Sequence, residues 1–275
     1  MSVFTTRLAA VLIPVAALGI TSCSGPATSS SVRADFYWSA ARETYALGDY
    51  TKTADHLEQL IGDDNPYTAR AIPWYLAVTG GMANGYRELA DQYAAGARRN
   101  KSETAAFRAK AAAYRTMANQ WAMRLAQNAD KLKDIPLGPL PLDFALPKGS
   151  AGEPELLSPI ANGRELDAAD AETAEVVTLQ HAVLMAVCAA AGAPQDVAKA
   201  EEVLGRVPTE VTRATFGKAL AGMLEDASRL YGRNQLDEPQ KLAALRERAD
   251  LVRKEAARVG SARVIEAARA ARPNP

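Results

Sequence analysis

The chain has 275 residues, 48% of them apolar and 23% charged, with 32 basic side chains against 32 acidic ones. That length and apolar share supply one large or two modest domains with a real core and exclude disorder as the default, while the zero formal charge excludes a global pull toward nucleic acid. Abundant alanine and only 6% aromatics favour helix throughout.

Arg7, the apolar run Leu8 to Ile20 and the small residues after it make residues 1–22 a secretory signal segment. Thirteen apolar residues are too few to cross a bilayer. The junction Ile20-Thr21-Ser22-Cys23 resembles the bacterial lipobox, an aliphatic and two small residues before an obligatory cysteine. The resemblance implies a lipoprotein cut ahead of Cys23 and acylated there, palmitate included. It would then be held on the extracytoplasmic side, at the periplasmic face of the outer membrane. The alternative is a simple secretory signal cut elsewhere. Two or more acyl chains anchor stably where one is marginal. Lipidation of Cys23 leaves Cys188 without an internal partner, so no disulfide framework is expected and stability must come from packing. Residues 23–33 are small and polar in the main and read as a flexible tether.

Phe36 to Pro66 reads as a helical hairpin. Tyr37, Ala40, Ala41, Thr44 and Leu47 recur at helical steps before the turn Gly48-Asp49-Tyr50, and Tyr50, Ala54, Leu57, Leu60 and Ile61 after it. Arms this short need neighbouring helices to cover their apolar faces. Tyr37, Gly48-Asp49-Tyr50, Leu57, Leu60 and Asn65-Pro66 resemble a tetratricopeptide unit, with Thr53 where that family usually has alanine and Pro66 one place late. The next helix begins near Tyr67, carries Ile72, Trp74, Tyr75, Leu76 and Val78, kinks or restarts at Pro73 and ends at Gly80-Gly81. Another spans Met82 to Arg99. After a break at Asn100-Lys101-Ser102, with Ser102 as cap, a long helix runs from Glu103 to Leu132, with Phe107, Tyr114 and Trp121 forming a seam every seven residues. Residues 34–133 make the N-terminal half. Tyr75-Leu76-Ala77, Gly85-Tyr86, Leu89-Ala90, Phe107 to Ala111, Tyr114-Arg115 and Ala122 to Leu125 look like TatT proteins, helical-repeat lipoproteins linked to tripartite, ATP-independent periplasmic transporters. That resemblance implies a periplasmic component serving solute-binding proteins or small hydrophobic ligands.

Residues 134–165 hold six prolines and four glycines, which excludes helix over most of the stretch. Leu140, Leu142, Phe144 and Leu146 nevertheless alternate, as an extended strap lying in a groove between helices would, with an exposed tail past Gly149. Residues 166–275 return to helix: Asp167 to Ala191, Pro194 to Leu204, Pro208 to Tyr231, Glu238 to Val259, and a final turn or two in Ala262 to Arg272.

Chemistry has little to rest on. His181, Met185 and Cys188 share a helix face of a kind that binds soft metals, yet on an apolar stripe they read as core. His56 neighbours Asp55 and Glu58, but adjacent helical positions do not face one another, so solvated surface is the expectation. Asp63-Asp64 lacks the spacing of a calcium loop. No phosphate loop, cysteine pair or activated nucleophile is present, so neither catalytic residue, metal nor cofactor is expected. Aromatics are the better clue, since 14 of the 16 beyond Cys23 precede residue 145. Tyr86, Tyr93, Phe107, Tyr114 and Trp121 read as core between two helices. Tyr45, Tyr67, Trp74 and Tyr75 cluster near turns and are the expected exposed binding residues. Charge is uneven: Glu153 to Glu175 is acidic, Lys241 to Arg272 basic, and the two could dock on one another, face anionic lipid or simply be solvated.

The expectation is therefore an all-α fold of stacked helical hairpins crossed by a proline-rich segment. Its function would be that of a non-catalytic scaffold, membrane-bound through lipid on Cys23, that recognises an envelope protein partner. A small hydrophobic ligand is the alternative.

Overall fold

The computed structural model describes residues 30–135, 138–142, 155, 157–193, 209–233 and 235–270, and the chain is predominantly helical over them. The signal segment, Cys23, most of the tether, the helix expected at Pro194 to Leu204, and Phe144 and Leu146 of the strap lie outside the described residues.

Helices α1 (Ser30–Ala46) and α2 (Tyr50–Gly62) form the expected hairpin. Gly48 turns the chain at φ +76°, a left-handed conformation that side chains resist, and its amide donates to the Tyr45 carbonyl at 3.0 Å. Asp49 then caps α2 by accepting from the Lys52 amide at 3.1 Å. The departure at Thr53 has a local use. Buried between the arms, its hydroxyl lies 2.8 Å from the Asp49 carbonyl and 3.1 Å from the Thr44 hydroxyl.

The two helices expected on either side of Gly80-Gly81 are one. Helix α3 (Thr68–Arg99) runs through both glycines and through Pro73, where it forgoes one hydrogen bond. The glycines serve close approach. A Cβ on Gly81 would stand 2.5 Å from the Val183 Cα, one on Gly80 2.7 Å from the Met223 sulfur, and one on Gly96 2.4 Å from the Ile160 carbonyl oxygen. Three further helices thus meet α3 along a glycine track: α5 (Leu157–Ala161), α6 (Ala168–Ala191) and α7 (Arg213–Ser228). Helix α4 (Thr104–Asn128) returns antiparallel along the other side of α3, held by the seam expected for it. Tyr93 meets Phe107 at 5.7 Å and Tyr114 at 5.5 Å, and Tyr86 meets Tyr114 at 6.1 Å. Ser102 does not cap α4: the N-cap position is Glu103 with no side-chain cap, and the Ser102 hydroxyl and Glu103 amide both donate to the Asn100 side-chain oxygen.

A 3₁₀ turn (Ala129–Asp134) ends that run and leads to strand β1 (Leu140–Leu142), whose two leucines are buried. Strand β1 pairs antiparallel with β2 (Thr209–Val211), Leu140 opposite Val211. The chain is thus extended at Leu140 and Leu142, hydrogen-bonded to a second strand. Two expectations fail nearby. Pro208 to Tyr231 is not one helix, because β2 precedes α7, which Thr212 caps by accepting from the Thr215 amide at 3.0 Å. Nor is the tail past Gly149 wholly exposed, since α5 lies in it and buries Leu157 and Ile160 against α3. Pro159 is tolerated there because the amide it lacks falls in a first turn.

Helix α6 begins and ends as the sequence indicates, with Asp167 accepting from the Asp170 amide and Gly192 at φ +68° closing it. A 3₁₀ turn (Arg229–Tyr231) connects α7 to helix α8 (Pro239–Ala270), which is longer than expected and packs along α7 with Ala256 against Gly217. One contiguous core runs from Ala34 to Ala249, so the halves on either side of the strap are not separate bodies.

Candidate functional site

Three of the four aromatics expected at the surface are buried. Tyr45 and Trp74 are 2% exposed and Tyr75 is wholly buried, while Tyr67 is half-buried with its ring stacked on Trp38 at 5.1 Å. Nearness to a turn misled, because the start of α3 crosses α1 and folds those turns into the core. Trp74 lies 5.4 Å from Trp38 and 5.3 Å from Tyr45, with the Arg70 guanidinium 4.6 Å above Trp38. The five aromatics read as core are placed as expected, four buried and Tyr114 half-buried.

A polar hub that the sequence did not disclose fastens α2, α3 and α4 together. Arg124 reaches the Asp55 and Glu58 carboxylates at 2.8 and 2.5 Å, and its guanidinium lies 4.7 Å over Trp121. The Tyr75 hydroxyl lies 3.2 Å from Glu58 and takes weak bonds from Arg124 and Asn128. Both acids beside His56 are thus engaged elsewhere, and its ring rests 6.0 Å from Tyr37. Nothing in the sequence separates Arg124 from Arg108 and Arg115 on the same alanine-rich helix.

Glu175 of α6 joins the seam, within 3.0 Å of the Tyr114 hydroxyl and 3.3 Å of the Tyr86 hydroxyl. Burial pushes the Tyr75, Tyr86 and Tyr231 phenols up to about 12. The folded chain therefore keeps protons that the unfolded chain gives up from pH ~10, so stability is full below that value and falls as pH rises toward ~12. Thermal melts through this window, run beside phenolate absorbance, check the expectation. Full titration at pH ~10 with the melting temperature unchanged would contradict it.

The stripe of His181, Met185 and Cys188 is divided. Cys188 is fully buried and its thiol is pushed up to about 11 by that burial. Met185 lines one cleft and His181 another, and among the described residues no group of three His, Cys, Asp or Glu could hold a metal. The His181 cleft, about 610 Å³ between α3, α5 and α6, also holds Glu88, whose carboxyl is raised by burial.

A further open feature is a groove between α4 and α8. Ala122, Ala126 and Ala244 leave space where larger side chains would close the two helices on each other, and the gap measures about 380 Å³. Tyr231 forms part of its lining, fixed by a 2.8 Å hydrogen bond to Asn119. Arg248 also lines it, donating to the Ala126 carbonyl and pairing with Asp130 at 2.5 Å. The hydrogen bond from Lys133, and after it Arg248, holds the Asp130 carboxyl below the usual range. Met123 and Leu251, 37% and 56% exposed, are the large apolar residues at its edges, and Lys241 and Glu247 add charge. None of these was singled out from sequence as a site, because an alanine gap is indistinguishable from ordinary helix packing until the partner helix is known.

No family model, no curated protein and no solved structure matches the chain.

Proposed function

We propose that this chain is a non-catalytic helical scaffold, tethered through acyl chains on Cys23 to the extracytoplasmic face of a membrane, that receives a protein partner. In this reading α1–α2 and α3–α4 are successive hairpins stacked in the tetratricopeptide manner. The observation that carries it is the α4–α8 groove: an open apolar channel with large apolar edges and charge beside them is the surface an amphipathic helix fits. A photo-reactive residue at Met123 should trap one discrete partner in the native envelope, and Leu251→Glu should reduce that product at least about fivefold, since a desolvated charge in such a contact costs more than 1 kcal/mol. An identical product from a control position at Arg42 on α1 would remove the groove from consideration. Absence of acyl mass on the natural protein would remove the tether.

A crevice of about 480 Å³ between α3, α6 and α7, lined by Gly80, Gly81, Ala186, Gly222 and the methionines Met185 and Met223, favours the second reading, a ligand-binding transport component of the TatT type. Thermal stabilisation by small hydrophobic ligands, abolished when Gly222→Leu fills the crevice, would move the weight to it.

A further inference from the structure

Six large apolar residues stand exposed among those described, and two of them, Val32 and Phe36, lie on the first two turns of α1 at 55% and 63% exposure. Four residues apart, they share one face. The opposite face, Ala34, Trp38, Ala41 and Tyr45, is buried in the core, so α1 is apolar on both sides. Only one of those sides has a partner among the described residues. Tyr37 extends the outer patch, its ring 5.5 Å from Phe36, and the Arg33 guanidinium lies 5.7 Å from that ring.

Where this patch sits in the chain names its occupant. Cys23 and Ser30 are seven residues apart. Fully extended, that length spans at most ~25 Å, so α1 cannot leave the neighbourhood of whatever surface holds the cysteine. Exposed valine and phenylalanine beside an arginine whose stem can lie along apolar surface form the chemistry of a headgroup boundary. Nearby charge offers no surplus of cations, since Arg33 has Asp63 acting on it and Asp35 accepts from the Tyr67 hydroxyl at 2.7 Å. Anionic lipid is therefore not required.

We propose that the first two turns of α1 lie in the bilayer interface with Val32 and Phe36 inserted, so that the helical body is held in one orientation instead of swinging on its tether. The proposal rests on the reading of Cys23 as an acylated anchor. It assigns the membrane contact to α1 and leaves the basic side of α8 free of that duty.

The test uses the full-length lipidated protein reconstituted in neutral phosphatidylcholine vesicles. Ser39→Cys places a thiol one turn from Phe36 on the same exposed face, Met123→Cys serves as the reference, and buried Cys188 stays silent. An impermeant maleimide should modify position 39 about tenfold more slowly on vesicles than in the lipid-free Cys23→Ser chain, at low and raised salt alike, with position 123 changing less than about twofold. Adding Phe36→Ser should restore the fast rate at position 39. Equal rates at 39 in a protein that floats with the vesicles would overturn the interfacial seat while sparing the anchor. Protection that survives Phe36→Ser would overturn it as well. So would protection that fades as the protein is diluted in lipid, which would assign the patch to a second copy. A protein that does not float defeats the Cys23 reading, and this inference falls with it.

Discussion

Gly81→Ala is expected to destabilise the protein by about 3 kcal/mol, although alanine is the better helix former by about 1 kcal/mol. The new methyl carbon would sit 2.5 Å from the Val183 Cα and 2.9 Å from its amide nitrogen, so the obstacle is backbone and cannot rotate away. To admit it α6 must move off α3, and that opens the interface that also buries Gly85 against Leu179 and Ala182. The matched control is Gly222→Ala on α7. A Cβ there meets nothing within 4 Å, and the residue lies inside a regular helix. That change should stabilise by about 0.5–1 kcal/mol. Chemical denaturation of the two variants should therefore move in opposite directions. Stabilisation by both would show that α3 and α6 are not in close contact.

Trp74→Ala is expected to cost about 4 kcal/mol, within the usual range for deleting a large buried aromatic side chain. Trp74 is among the largest fully buried side chains and packs against the rings of Trp38 and Tyr45 of α1. The consequence separates two roles for the same residue. A binding-surface tryptophan would be lost with little change in stability. One that fills the junction of α1 and α3 takes a large share of the 5–15 kcal/mol that holds an ordinary domain together. Urea unfolding decides it, and a loss under about 1 kcal/mol would return Trp74 to the surface.

Helix, and its place along the chain, was legible because the apolar positions of α2 keep their period and several helix ends carry readable signals: Gly48, Asp49, Asp167 and Gly192. The apolar face of α1 was misplaced: Leu47, read on it, is 74% exposed, and the buried side is Ala34, Trp38, Ala41 and Tyr45. What failed was everything decided by a neighbour distant in sequence. Gly80-Gly81 looks like a break to a reader of local propensity, and only the arrival of Val183 and Met223 shows why side chains are missing there. Tyr45 and Trp74 look exposed near turns until α3 crosses α1. Strand β2 has no local signature strong enough to displace the helix pattern after it, and its conformation is set by pairing with Leu140 to Leu142. The α4–α8 groove was illegible for the same reason, being a gap whose two walls are more than a hundred residues apart.

Arg213, almost fully buried at the start of α7, donates to the carbonyls of Leu132 and Ile135, and the neighbouring strands join the same two regions of the chain. A nascent chain that has delivered α1 to α4 still lacks this clasp and the helix that lies on Gly81 and Gly85. One side of α3 stays bare until α6 (Ala168–Ala191) has emerged. The first 130 or so residues therefore carry uncovered apolar surface until the second half of the chain arrives, the condition in which incomplete chains are prone to aggregate.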